Sequence, residues 1–534
     1  MDIEIPTENL SQQLIEKNQR LSQSLLWKIQ RQFFQQQGVQ AWNTGKVPHY
    51  VSSNPFIANA YGKVVFGFLR DGHRHNTLDS TQPVYLLELG AGSGRFAYHF
   101  LKQFCESYSQ SILREIPIKY ILTDFAEQNL NFWQSHPALQ PFIEQGVLDF
   151  ARFDVETDTQ LKLLHSGDIL SAETLNNPLI VLANYFFDSI PQDAFYIQNG
   201  QLYETLISVL SPTAELDFSD PNLFQDLEIF YDDNPITPDY YDDPDFNQIL
   251  HTYQQRLADT TILFPFTGLK CIQNLRQLSS DRLLLLSGDK GYSRETDLLE
   301  RDQPKLTLHH GCFSLMVNYH AIAQYTQNQK GQALTSPHRH GSFNICAFVF
   351  GNPAKDCIET RQAYREAIEN SSPDDFFALK KGLESNYCTL TLQQILAYLR
   401  LSRWDANIFF GCFPTLMEQI KTASDTLIQE LYWAIQNIWN TYYYIGESQD
   451  LPFHLSMLLY NMGYYQEASE FLQHSLKLHG NDPSTYHNLA MCQYRLRQLD
   501  EAWESINQTL KLNPDFEAAR TLKIKIEAEI SRRK

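Results

Sequence analysis

The 534-residue chain has no run approaching eighteen consecutive apolar residues, so no segment reads as a membrane-spanning helix. Its first residues, MDIEIPTENLSQQ, lack the apolar stretch of a secretory leader. Cysteine is scarce: eight are scattered with no Cys-x-x-Cys pair, the usage of free thiols in a reducing compartment. These absences predict a cytoplasmic protein with no membrane partner. Neither a Gly-x-Ser-x-Gly elbow nor a P-loop occurs, which leaves a serine hydrolase and a nucleoside triphosphatase without support. Basic residues are also few, 42 against 62 acids for a net charge of -20. A general binder of phosphate backbones needs the opposite sign, so nucleic acid is not an expected partner.

What is present describes a globular chain. With 43% hydrophobic, 13% aromatic and 19% charged residues it can bury several cores, and its length suggests roughly three or four structural units. Residues 1–80 read as a helical segment, with an amphipathic stretch from Leu10 to Gln37. From 81 to 355 short apolar runs alternate with helical patterns: VYLLEL, IKYILTDF, LDFARFD, PLIVLANYF. That alternation predicts an α/β domain built on an open, largely parallel sheet with helices on both faces. Residues 356–445 read as a helical connector and 446–534 as repeats. MGYYQEASEFLQHSLKL from Met462 realigns on LRQLDEAWESINQTLKL from Leu496, a period of 34 that places Ala468 against Ala502. This is the tetratricopeptide period. Two such repeats need further helices to stack on, predicted between Gln393 and Tyr444. The array is either a packing cap or a groove for a protein partner or acceptor.

Charge is uneven. Between Lys162 and Arg256 there is no Lys or Arg, while sixteen acids fall there and supply -16 of the -20. The densest part, about 205–255, reads as an inserted loop or lid rather than as sheet. It is either solvated surface or an attractive field for a cationic substrate.

The chemistry is concentrated after VYLL, where Glu88, Gly90, Gly92 and Gly94 form a strand, glycine turn and helix in that order. Glycines let the backbone turn sharply and approach a ligand, and the helix N-terminus favours its electron-rich groups. The sixth position is Phe96, so a dinucleotide fingerprint fits poorly. Glu-x-Gly-x-Gly-x-Gly instead resembles motif I of class I methyltransferases that use S-adenosyl-L-methionine. Asp124 ends the next strand pattern, where an acid can take both ribose hydroxyls. Asp154 ends the one after and could meet the adenine edge. Glu88 would brace the loop or meet the donor's amino group.

At the fourth strand the chain resembles the MidA-like methyltransferases, whose mitochondrial members are protein arginine methyltransferases acting in respiratory complex I assembly. Their Asn-Glu-Phe-Phe-Asp-Ala-Leu-Pro pattern is met by Asn184, Tyr185, Phe186, Phe187, Asp188, Ser189, Ile190 and Pro191. Tyr50, Ser52, Ser53, Tyr61 and Gly62 match an upstream segment; Asp289, Gly291, Ser314, Val317, Asn318 and Tyr319 match downstream ones. The likeness covers roughly residues 45–350. It implies S-adenosyl-L-methionine as cofactor, Asn184 placing the acceptor through its amide carbonyl, and Asp188 neutralising or deprotonating it. Two positions depart: Tyr185 stands for the family's Glu and Lys290 for its Tyr. The His73-Arg74-His75, His309-His310 and His338-Arg339-His340 groups lack zinc-site spacing, so no metal is expected. The reading is therefore a methyltransferase, with a protein acceptor, arginine among the candidates, brought in with help from the repeats. The alternatives are a donor-binding but degenerate scaffold and a small-molecule methyltransferase.

Overall fold

The computed structural model describes residues 13–218, 220–338, 341–351 and 356–533. The chain divides into two compact units, Met1–Phe377 and Ala378–Lys534.

In chain order, the first unit contains β1 (Gln13–Arg20), α1 (Leu25–Gln37), α2 (Pro55–Arg74), β2 (Val84–Leu89), α3 (Arg95–Ser109), β3 (Ile118–Asp124), β4 (Leu148–Arg152), β5 (Leu179–Asn184), β6 (Asp193–Gln198), β7 (Gln201–Ser211), β8 (Glu228–Ile236), α4 (Pro244–Arg256), β9 (Thr260–Phe264), α5 (Phe266–Leu278), β10 (Leu283–Asp289), α6 (Tyr319–Asn328), β11 (Gln332–Leu334) and β12 (Asn344–Phe350). The main sheet runs β11-β12-β10-β5-β2-β3-β4. Its five strands from β10 to β4 are parallel, and β12 and β11 add antiparallel at one edge. Every residue of β2, β10 and β12 is buried, which explains their unbroken apolar runs: helices cover both faces. The α/β expectation holds.

Two expectations are corrected. The helical stretch foreseen from Leu10 begins outside the described residues, and Gln13–Arg20 is a strand, not helix. It pairs antiparallel with β7, nearly two hundred residues away, and that ladder overrides the local pattern. The helix starts only at Leu25, behind Ser24 as cap and the Glu16 carboxylate, which accepts from Leu25 N at 2.8 Å. The acidic insertion is likewise largely sheet and helix. β7 and β8 pair over nine residues, from Glu228 opposite Leu210 to Ile236 opposite Leu202. With β1, β6 and β9 they form a second sheet. Leu202, Ile207 and Val209 are fully buried, each contributing about 1.5–3 kcal/mol, so acids on the half-buried strand β8 do not prevent sheet formation. Asp243 acts locally as the N-cap of α4, accepting from Asp245 N at 2.8 Å.

The first unit continues past the expected boundary at 355. Asp71 of α2, wholly buried, accepts from Thr360 N at 2.9 Å, Thr360 Oγ1 at 2.8 Å and Glu359 N at 3.2 Å. This fastens the helix Ile358–Tyr364 to α2. Asp374 accepts from the backbone of Gly341, Ser342 and Phe343 in the same way.

The second unit is helical: α7 (Leu392–Leu401), α8 (Ala406–Gln419), α9 (Asp425–Asn440), α10 (Leu451–Asn461), α11 (Tyr465–His479), α12 (Pro483–Arg495), α13 (Leu499–Leu512) and α14 (Glu517–Arg533). Asp450 and Asp482 cap α10 and α12 with matching bonds to Phe453 N and Thr485 N, both 2.9 Å. Ala468 and Ala502, aligned by the period of 34, are both fully buried, as the close packing of paired helices requires. The stack does extend onto the preceding helices: Tyr432 stacks on Tyr464 at 4.5 Å and Trp439 meets Phe471 edge-on at 5.3 Å. No helix among the described residues is long and apolar enough to cross a membrane, and all eight cysteines are free thiols.

Candidate functional site

The glycine turn leaves the carboxyl end of β2 at the centre of the main sheet. Gly90, Gly92 and Gly94 have φ of +58°, +55° and +75°, values that suit glycine alone among ordinary residues. The turn is pinned to β3: Ala91 N donates to Thr123 O at 2.9 Å and Thr123 Oγ1 to Glu88 O at 2.6 Å. Trp133 Nε1 holds Gly92 O at 3.0 Å. α3 then starts directly at Arg95, with no side-chain cap from Gly94.

The Glu88 side chain is tied to β3, not to the loop. Its Oε2 accepts from Tyr120 OH at 2.7 Å, and burial pushes its carboxyl up to about 8. Asp124 accepts from Gly92 N at 3.2 Å, Ala126 N at 2.9 Å and Asn129 Nδ2 at 2.9 Å. Burial still raises its pKa, against the pull of these donors. This acid therefore fastens the glycine turn to the segment after β3 and also faces the cleft beside it. Asp154 is paired with Arg31 of α1 through both guanidinium amino groups, and Arg31 Nη1 also reaches Glu156 Oε1 at 3.3 Å. The same guanidinium lies 4.6 Å above the Phe125 ring.

Two solvent-open clefts meet here, of roughly 920 and 840 Å³. One is lined by Asp124, Phe125, Phe153, Asp154 and Phe186, flat apolar rings with acids at their margin, which suits a nucleoside. The other contains Glu88, Ser93, Asn184, Asp188 and Lys290. Phe34, Trp42, Gly90 and Tyr185 border both. At this junction no side chain larger than glycine fits: a Cβ on Gly90 would stand 2.9 Å from Phe186, and one on Gly92 2.8 Å from Trp42. Adenosine in the first cleft and a methionine tail across the glycines into the second is an arrangement these residues fit.

All eight residues expected at the site line one or both clefts, except Gly94, which sets the turn behind them. Asn184, at the end of β5, differs from expectation in its contacts. Its Oδ1 accepts from Tyr61 OH at 2.6 Å, so the carbonyl foreseen for the acceptor already has a donor. Tyr185 takes a φ of +49°, unusual for a bulky residue, and places its ring at the border of both clefts.

Asp188 is not an isolated carboxylate. It lies close enough to Asp289, at the end of β10, for each carboxyl to act on the other. Asp289 is fully buried and its Oδ2 accepts from Tyr319 OH at 3.2 Å and Phe187 N at 3.3 Å. Its Oδ1 has no donor among the described residues. Burial raises both carboxyls, and the charge on Asp188 raises Asp289 further. The pair thus retains a proton between its two carboxyls near neutrality. β5 and β10 are adjacent and parallel, with Gly288 opposite Asn184, so Asp289 and the turn that carries Asp188 both lie at the carboxyl ends of neighbouring interior strands.

Arg31, Trp42 and Asn129 were not foreseen, and nothing local marks them; Tyr61 was named only as part of the upstream segment that resembles the family, without a role at the site. Of the sixteen acids between Lys162 and Arg256, Asp188 is the one among the described residues that lines either of these two clefts. Among the described residues no group of three potential metal ligands gathers; Arg339 and His340 of one histidine group lie outside them.

Residues 73–286 match the model of a family described as "putative S-adenosyl-L-methionine-dependent methyltransferase". Residues 453–482 and 483–516 each match the tetratricopeptide repeat, a unit that generally mediates protein–protein contact. The methyltransferase-type domain, its donor class and the repeats foreseen in the sequence are all found. A solved structure of an uncharacterised COG1565-superfamily protein from Burkholderia thailandensis is similar at 11% identity and TM-score 0.38, over 63% of this chain and 89% of that one. A second member from that organism, bound to S-adenosyl-homocysteine, is similar at 11% identity and TM-score 0.37, over 58% and 80%. At these values neither bears on what this chain does. No curated protein matches it.

Proposed function

We propose, from the premise that residues 73–286 carry a domain of this S-adenosyl-L-methionine-dependent methyltransferase family, that the protein transfers a methyl group to an acceptor reaching the cleft at Asp188. The observation that carries this reading is the junction of the two clefts at Gly90, beside positive-φ glycines that admit no larger side chain. When bound, the donor supplies an electrophilic methyl carbon on sulfonium sulfur. Asp124 and Phe125 would hold the nucleoside end, and Gly90, Gly92 and Glu88 the amino-acid end. Most of the rate then comes from holding the acceptor at attack distance and excluding water, for which Tyr185 and Trp42 are placed at the shared border.

The tetratricopeptide repeats support a protein acceptor or partner. The acids of β8 and of the segment just before α4, Asp239, Asp242 and Asp243, suit a partner with basic groups. Free cysteines and the absence of a spanning helix among described residues fit a cytoplasmic setting. The test is transfer from methyl-labelled donor to a cell extract, followed by mass spectrometry of the modified band. Labelled protein that disappears when the repeats are removed supports the full reading. Donor binding without any labelled product would favour a degenerate scaffold instead.

A further inference from the structure

The place where the two clefts meet has a chemistry of its own. Phe34, Trp42, Gly90, Tyr185 and Ser189 border both, and none of them carries a formal charge. The Ser189 hydroxyl is engaged by Tyr185 O and Phe186 O, at 3.2 and 3.0 Å. Charged side chains line one cleft or the other but not both, Asp188 with Lys290 in one and Arg31 with Asp154 in the other. The junction is therefore walled by three large rings, each only half-buried. All three are held in place. Phe34 and Trp42 lie nearly parallel, their centroids 6.0 Å apart at 22°. Tyr185 N donates to Gly288 O at 2.9 Å, and the Tyr185 ring meets Phe343 edge-on at 5.3 Å. The indole turns its face to the glycine turn: a Cβ on Gly92 would stand 2.8, 3.0 and 3.3 Å from Trp42 Cζ2, Cη2 and Cε2. Three adjacent ring atoms at nearly equal distance describe a point above the ring, not one at its rim.

In S-adenosyl-L-methionine the sulfur joins the nucleoside to the methionine chain. With the adenosine in the first cleft and the amino-acid end in the second, the sulfonium falls where the rings are. A cation is drawn to the electron-rich face of an aromatic ring, most strongly to that of Trp. Resting on the methyltransferase reading above, we infer that Trp42, Tyr185 and Phe34 form an aromatic clamp for the sulfonium charge, and that through it the protein prefers its methyl donor over the demethylated product. When the methyl carbon passes to a lone pair of the acceptor, the electron pair of the broken S–C bond stays on sulfur, and the positive charge is gone from the junction. The product keeps its nucleoside and amino-acid contacts and loses this one. It therefore dissociates more readily than the donor, and product inhibition is weak.

The test is calorimetric titration of the full chain, without acceptor, with S-adenosyl-L-methionine and with S-adenosylhomocysteine. The donor is expected to bind about five- to ten-fold more tightly than the product. Trp42→Leu and Tyr185→Leu keep apolar bulk but lack a ring face, so each should shrink that ratio by about three-fold. Trp42→Phe should recover part of the loss seen in Trp42→Leu. The ratio separates the clamp from general fit, since a distorted cleft weakens both ligands alike. Asp188→Asn removes negative charge from one cleft and should change the ratio less than Trp42→Leu does. Equal binding of the two ligands by the native chain, a ratio indifferent to both Leu variants, or one erased by Asp188→Asn instead overturns the inference. A chain that binds neither ligand overturns the methyltransferase reading, a separate result.

Discussion

Gly92→Ala is a direct probe of how the donor loop is built. Gly92 has a φ of +55°, and an L-residue held there costs about 1–2 kcal/mol. Its new Cβ would lie 2.8 Å from Trp42 Cζ2 and 3.0 Å from Cη2. Carbon atoms prefer about 3.5–4.0 Å, so the indole must retreat by roughly 1 Å. Overpacking of this kind costs about 1–3 kcal/mol. The total is about 2–5 kcal/mol, and its two parts separate in a double-mutant cycle with Trp42→Ala, which relieves the clash and leaves the backbone cost. The assay is denaturant unfolding of the full chain, following the transition that shifts when S-adenosylhomocysteine is added. We expect the two substitutions to couple by about 1–3 kcal/mol, Gly92→Ala being milder without the indole. Additivity within about 0.5 kcal/mol would refute the placement of Trp42 over the loop.

Further outcomes follow from other contacts. Arg31→Ala frees Asp154 and uncovers Phe125, so S-adenosylhomocysteine affinity measured by calorimetry should rise about two- to five-fold; a weaker affinity would show that the guanidinium holds the ligand instead. Burial raises Asp188 to about 7, so the proton taken up on folding stabilises fully below the ordinary carboxylate value near about 4 and the contribution is lost as pH rises through about 7. The ligand-responsive unfolding temperature should therefore fall between about pH 5 and about pH 8, and less steeply in Asp289→Asn; an equal slope would contradict the shared proton. Asp71→Ala leaves three donors of residues 359 and 360 unpaired, and should destabilise the first unit by about 3 kcal/mol in denaturant unfolding. A loss within the scatter of surface substitutions would show that the segment after 355 is held by other contacts.

The parts legible in the sequence were those written by neighbours along the chain. Glu88 to Gly94 lie in one turn, and β2, β3, β4 and β5 each end in or beside a residue that faces a cleft. The repeat was legible because its small residues recur every 34 positions. Long-range pairing was not. β1 is made a strand by β7, and its own residues Glu16, Lys17 and Asn18 give no strand pattern. The acids of β8 suggested solvent, yet apolar residues on β7 bury against the core and carry Asp232 and Asp233 with them on an edge strand that tolerates Pro235. Arg31 and Asp154 stand 123 residues apart, and Asp188 and Asp289 about as far. Their pairing follows from sheet order and helix placement, which no local spacing encodes.

The central claim, a donor site assembled on the glycine turn of β2, is tested most directly by calorimetric titration of the full chain with S-adenosylhomocysteine. The structure predicts one site per chain, weakened by at least about ten-fold in Asp124→Ala, which unfastens Gly92 and removes an acid from the nucleoside cleft. No binding by the native chain, or binding indifferent to Asp124→Ala, would contradict it.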